Sequence, residues 1–170
     1  MPKRLFAAVR GLIYASFFVW LWWSVITLAR PLDNRITLTI PAAAGPLGLA
    51  LASFGGLLAL ACVISFAIVG VGTPAPFDAP RRFVASGPYR WVRNPMYLGA
   101  LLVIVGVGLY LQSVSALLVA VFFVLLAHVF VVVYEEPTLE SAFGDDYRRY
   151  RAAVNRWVPR RPSSSNQSVA

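Results

Sequence analysis

Long uncharged apolar blocks constrain the fold of this chain more than any other feature. Between Leu5 and Ala29 the one charged residue is Arg10, and from Gly45 to Gly72 there is none. Two further blocks, Met96–Leu111 and Val114–Tyr134, are separated by Gln112-Ser113 alone. A segment of about 20 apolar residues crosses the hydrocarbon core as a helix, because in lipid the backbone has to satisfy its own polar groups. At about 1.5 Å per residue the last two blocks together exceed one bilayer thickness, which predicts a tight helical hairpin and not one long helix. The expected fold class is an all-α integral membrane protein with about four transmembrane helices, near residues 5–29, 45–72, 96–111 and 114–134. The third span is short, so protein is expected to shield its beginning.

Composition agrees. Only 13% of the residues are charged, against about 25% in soluble domains. The first block is too long for a signal peptide, and no small-residue cleavage site follows it. A net charge of +8 raises nucleic-acid binding as a function. The basic residues flank apolar spans and do not line a helix face, which excludes it. Cys62 is the one cysteine, so there is no internal disulfide and no cysteine-based metal site; a core residue is expected there, and no metal.

The basic residues also orient the spans. Lys3, Arg4 and Arg10 precede or enter the first; Arg81, Arg82, Arg90 and Arg93 lie in the second loop; Arg148, Arg149, Arg151, Arg156, Arg160 and Arg161 follow the last. With four spans, all of these share one side and only Arg30 and Arg35 fall on the other. The positive-inside rule then puts both termini and the second loop in the cytoplasm of a multi-pass protein, expected in a bacterial inner membrane.

Polar chemistry clusters at that cytoplasmic side. The second loop carries Gly87-Pro-Tyr-Arg-Trp-Val-Arg-Asn-Pro-Met-Tyr97. Each proline biases the residue before it away from helix, so an irregular backbone with free amides and carbonyls is expected. Tyr89, Trp91 and Tyr97 are either interface anchors or stacking surfaces for a ligand. Tyr134-Glu-Glu-Pro137 ends the fourth block. Two carboxylates at a helix C-terminus oppose its dipole, so Glu135 and Glu136 are either solvated or held by a partner or cationic ligand. His128, the only histidine, is seven residues before Glu135 on the same helix face; a packed, hydrogen-bonded residue and a proton carrier are the two readings. Gly70 and Gly72 allow either close ligand approach or tight packing, and Gly106 and Gly108, deeper in a span, read as packing. The loop run Arg35-Ile-Thr-Leu-Thr-Ile40 reads as a short extended or interfacial piece. Leu139, Phe143, Tyr147 and Tyr150 recur at helical spacing and predict an amphipathic helix over about 137–154 on the membrane surface. Residues 1–160 form the expected single domain, and 161–170 a disordered tail. There is no P-loop, zinc-protease motif or nucleophile elbow, and no acidic residue or lysine lies within a span, which argues against an ion-coupled transporter.

Several spaced elements together resemble the membrane methyltransferase superfamily that includes isoprenylcysteine carboxyl methyltransferases and phospholipid N-methyltransferases. They are Gly-Pro-Tyr-Arg-Trp-Val-Arg, Asn-Pro-Met-Tyr, Tyr-Glu-Glu-Pro, Phe143-Gly-x-x-Tyr-x-x-Tyr150 and Val154-x-Arg-x-x-Pro159, within about Gly70–Pro159. The resemblance implies a methyltransferase that uses S-adenosylmethionine and acts on a membrane lipid or lipid-linked acceptor. Carried over, the cofactor contacts are Phe83, Val84, Tyr89, Asn94, Pro95, Met96, Tyr97, Glu135 and Glu136, with Gly70 and Gly72 matching a Gly-x-Gly element of the phospholipid branch. Asn94 stands where the carboxyl branch has histidine. Val131 stands where that branch has an arginine near the substrate carboxylate, so a carboxylate acceptor would need Arg90 or Arg93. No catalytic residue is fixed; Arg90, Arg93 and His128 are the candidates. The implied chemistry is in-line methyl transfer to a phospholipid amine, which needs a base, or to a carboxylate, which does not. Two alternatives remain at this point: a non-catalytic scaffold or lipid-binding protein of the same fold, and an oxidoreductase subunit, for which one histidine cannot supply bis-histidine haem ligation.

Overall fold

The computed structural model of the protein describes residues 2–70 and 84–160, and the described residues form helices joined by short turns, with no strand. Helix α1 spans Pro2–Ala29, α2 Gly45–Ser65, α3 Pro95–Tyr110, α4 Val114–Phe130 and α5 Glu136–Ala153. Three stretches are long and apolar enough to cross a membrane, Val9–Arg35, Ala42–Ser65 and the one that begins at Val114; α3 is apolar but has only 16 residues. At 1.5 Å per residue α3 reaches about 24 Å, short of a hydrocarbon core of about 30 Å. Its first residue, Pro95, is fully buried in protein.

Helix α3 is gripped on two sides. Against α2 the contact is made by small residues. A Cβ on Gly55 would lie 2.5 Å from the Gly99 carbonyl oxygen, and one on Gly106 would lie 2.5 Å from the Ala52 amide and from the Gly48 carbonyl. Only hydrogen at these positions lets the two backbones meet, the usual solution where lipid gives no hydrophobic push between helices. Against α4, Gly108 faces the Leu117 side chain, as expected of a packing glycine. The turn between α3 and α4 is as tight as predicted: Gln112 takes φ 53° and Ser113 N–H donates to Gly108 O at 2.9 Å. Helix α1 adds Trp22 and Ile26 to a core shared with Ile104 and Phe123, the Trp22 and Phe123 rings meeting edge to face at 4.9 Å.

The loop after α1 caps α4. Asp33, in a 3-10 turn over Arg30–Arg35, accepts from Ser113 Oγ at 2.7 Å and from the Ser115 amide at 2.8 Å. Ser113 Oγ in turn accepts from the Ala116 amide at 3.1 Å. The first loop therefore has a structural role that its sequence does not announce, since a carboxylate here satisfies orphan amides where the helix dipole is positive. Residues 36–40 carry no regular element.

At the opposite end, α4 continues without a break. A π turn, Val131–Glu135, joins it to α5. Pro137 explains the turn, since its ring would clash with the carbonyl four residues back and it has no N–H to give. The amphipathic helix is present, beginning at Glu136, but its apolar residues Tyr147 and Tyr150 are buried against Ala85, Leu139, Phe143 and Val154 of the protein itself. It bends at Gly144, where φ is 51°.

Candidate active site

The polar site forms where the second loop, the end of α4 and the segment after α5 converge. Gly87 takes φ 58° and packs on α2, where a Cβ would sit 2.6 Å from Ser65 Oγ. A 3-10 turn over Gly87–Arg90 follows, and α3 opens at Pro95, whose fixed φ suits a first helical residue. Residues 154–160 then run back across this loop as an extended strap. Arg93 N–H donates to Asn155 O at 2.9 Å, Asn94 Nδ2 to Arg156 O at 3.2 Å, and Arg160 N–H to Trp91 O at 2.8 Å. The loop amides expected to be free are largely used: those of Tyr89, Trp91 and Val92 bond within the turn, and that of Arg93 bonds to the strap.

The two glutamates sit just beyond the last apolar residue of the span, Tyr134, and their surroundings differ. Glu136 is buried and receives two hydrogen bonds from Arg156, Nε to Oε1 at 2.7 Å and Nη2 to Oε2 at 2.9 Å. Arg93 Nη1 lies 3.1 Å from its Oε1. Burial works to raise the Glu136 carboxyl, but the Arg156 hydrogen bonds and the charges of Arg93, Arg156 and Arg151 prevail and hold it below the usual carboxylate range. Among the described residues Glu135 has one hydrogen bond, from Tyr97 Oη at 2.8 Å. Burial raises its carboxyl above the usual range, the Tyr97 bond opposes this, and the neighbouring Glu136 charge adds to it. The Nε of Arg93 is buried with no hydrogen-bond partner among the described residues.

An aromatic row supports Tyr97. Its ring lies 6.5 Å from Phe123 on the α4 side and 6.3 Å, at 75°, from Trp157 of the strap. Trp157 Nε1 donates to His128 Nδ1 at 3.1 Å, so the histidine is hydrogen-bonded as expected, but it is exposed and not packed in the bundle interior.

The structure thus brings Arg93, Asn94, Pro95, Tyr97, Glu135, Glu136 and His128 to one end of α3 and α4. Tyr89 is buried: it packs with Cys62, Val84 and Met96, meets Phe66 at 5.3 Å, and its carbonyl accepts from Tyr150 Oη at 2.7 Å. Cys62 is the expected core residue, fully buried. Arg90 is exposed. Gly70 ends the π turn Phe66–Gly70, while Gly72 and Phe83, like Arg81, Arg82 and the tail 161–170, lie outside the described residues. Sequence reasoning does not single out Arg156 and Trp157 as site residues, although the Val154-x-Arg-x-x-Pro159 element contains both.

Comparison with known proteins supplies the family. The profile of the phospholipid methyltransferase family matches residues 44–146, well over half of the chain. A curated protein from Haemophilus influenzae, described only as uncharacterized, is 43% identical over 63 residues, which is 37% of this chain and the whole of that protein. No solved structure matches. The matched region holds the glycine-packed pair α2 and α3, the second loop and both glutamates, and with four apolar helical stretches around them the chain belongs to the phospholipid methyltransferase family of integral membrane proteins.

Proposed function

We propose that this protein transfers a methyl group from S-adenosylmethionine to a lipid or lipid-linked acceptor at the cytoplasmic face of a bacterial inner membrane. Residues 1–160 act as one domain and both termini lie in the cytoplasm. The observation that carries the reading is the contrast between adjacent carboxylates: among the described residues Glu136 is held by two arginines, whereas Glu135 has a single hydrogen bond, from a motif tyrosine.

The residues present fit the donor. Among the described residues Glu135 has unused acceptor capacity for ammonium or hydroxyl groups, and Arg93 Nε, buried there with no hydrogen-bond partner, is the kind of donor that a carboxylate satisfies. When bound, S-adenosylmethionine supplies an electrophilic methyl group. Tyr97 fixes the Glu135 carboxylate through its hydroxyl, which aligns the groups that hold the donor. An amine acceptor has to lose a proton. Glu135, held above the usual carboxylate range, is better placed to take it than His128, whose Nδ1 already accepts from Trp157. The family and the apolar, fully buried Val131 favour a phospholipid amine over an isoprenylcysteine-type carboxylate as acceptor.

Calorimetry of S-adenosylmethionine binding to detergent-purified protein, beside Glu135→Gln and Tyr97→Phe, tests the reading. Saturable binding that falls in both variants supports it. A folded wild type that binds nothing in the presence of lipid would favour the non-catalytic scaffold.

A further inference from the structure

We propose that Trp157 is a positioning residue: it sets the direction of the Tyr97 hydroxyl and, through it, of the Glu135 carboxylate. The inference rests on the methyltransferase reading and extends it to a residue outside the family match, which ends at residue 146.

Trp157 is itself fixed in place. Its neighbour Arg156 is clamped on Glu136 by two hydrogen bonds, and the strap is tied to the second loop at Asn155, Arg156 and Arg160. The indole N–H donates to His128, which sets the rotation of the ring about its own axis. The ring then meets Tyr97 edge to face at 6.3 Å, an arrangement that aromatic pairs favour. Phe123 stands 6.5 Å from Tyr97, tilted at 37°. A tyrosine held by two rings has little freedom to swing, and its hydroxyl is left pointing at Glu135 Oε2, 2.8 Å away. The indole N–H is spent on His128 and not on either glutamate, so Trp157 reaches Glu135 through Tyr97. The same arrangement accounts for His128, whose Nδ1 lone pair orients the indole; proton carriage is not required of it.

A double-mutant cycle separates positioning from simple packing. S-adenosylmethionine binding is measured by calorimetry on full-length protein in detergent for wild type, Trp157→Phe, Trp157→Leu, Tyr97→Phe and the Tyr97→Phe/Trp157→Leu pair, with thermal unfolding of each as the control for folding. If Trp157→Leu fails to fold, Trp157→Met takes its place in the cycle. The expected result is a loss of about tenfold in affinity for Trp157→Leu and of about threefold or less for Trp157→Phe, which keeps a ring against Tyr97. On the Tyr97→Phe background, where there is no hydroxyl to direct, Trp157→Leu should cost less than about twofold more. Equal losses on both backgrounds, or Trp157→Phe as weak as Trp157→Leu, would overturn the positioning role and leave the methyltransferase reading standing. Absence of binding by folded wild type would remove that reading first and the positioning role with it.

Discussion

The two polar ends of this helix bundle use similar side chains to different effect. At one end Asp33 meets Ser113, the Ser115 amide and, through Ser113, the Ala116 amide; these groups satisfy one another and close the start of α4. At the other end Glu135, Glu136, Arg93, Arg156 and Tyr97 gather, yet Glu135 keeps spare acceptor capacity and Arg93 Nε has no partner among the described residues. A polar cluster that merely holds helices together settles with its valences filled, because each unfilled one costs free energy. One that is left incomplete inside protein is where a ligand belongs.

Removing the saturated carboxylate should have the largest effect. Glu136→Gln leaves two arginines facing a neutral amide in a site where the glutamate side chain is 9% exposed, and a loss of about 3 kcal/mol is expected. Thermal unfolding in detergent measures it. Since the folded-state carboxyl lies below its unfolded value, the stability it contributes is full above the ordinary glutamate range and disappears as pH falls through the lower folded value. The difference between wild type and variant should therefore shrink in acid. A difference that did not change with pH would mean that the arginines do not read its charge.

Asp33→Asn comes next. Losing a helix cap of this kind costs about 1 kcal/mol, and ligand affinity should be unchanged because the cap is at the far end of α4. An equal loss of S-adenosylmethionine binding would break the division between a structural end and a functional one. The smallest effect on stability is expected of Glu135→Gln, and its sign is opposite. Glu135 has a raised carboxyl, so in the folded state the charged form is disfavoured, and the group becomes a growing burden as pH rises through its unfolded value to its folded one. The variant should unfold at the same temperature as wild type or slightly higher near neutral pH, by less than about 1 kcal/mol, while binding is lost; a functional residue often trades stability in this way. Wild-type binding should also weaken as acid protonates Glu135, beginning above the ordinary glutamate range. A Glu135→Gln protein that is destabilised yet binds normally would reverse the assignment of the two glutamates.

The helices are legible in the sequence because their signal is local. Uninterrupted apolar runs, the Gln112-Ser113 break and the packing glycines Gly106 and Gly108 are all read from nearby positions. Tyr97, Glu135 and Glu136 stand out because polar groups at the end of a span need a reason to be there. Asp33, Arg156 and Trp157 are different. Each acts on residues that are 20 to 82 positions away in sequence, and no periodicity marks an arginine or a tryptophan that folds back across a loop. The amphipathic pattern of α5 is visible, but not which surface it covers; tyrosines with arginines alongside suit a lipid interface and a protein groove equally well. The packing of Tyr89 against Cys62 and Phe66 is likewise not written in its own loop.

The strap has a bearing on how the protein is made. Asn155, Arg156, Trp157 and Arg160 follow every span in the chain, and they supply the partners of Arg93, Asn94, Trp91 and Glu136. During synthesis the spans can enter the bilayer one after another, but the second loop has to wait with its arginine and asparagine uncommitted until the strap emerges. Helices already inserted in lipid therefore precede a finished site, and the last assembly step takes place in water, at the membrane surface.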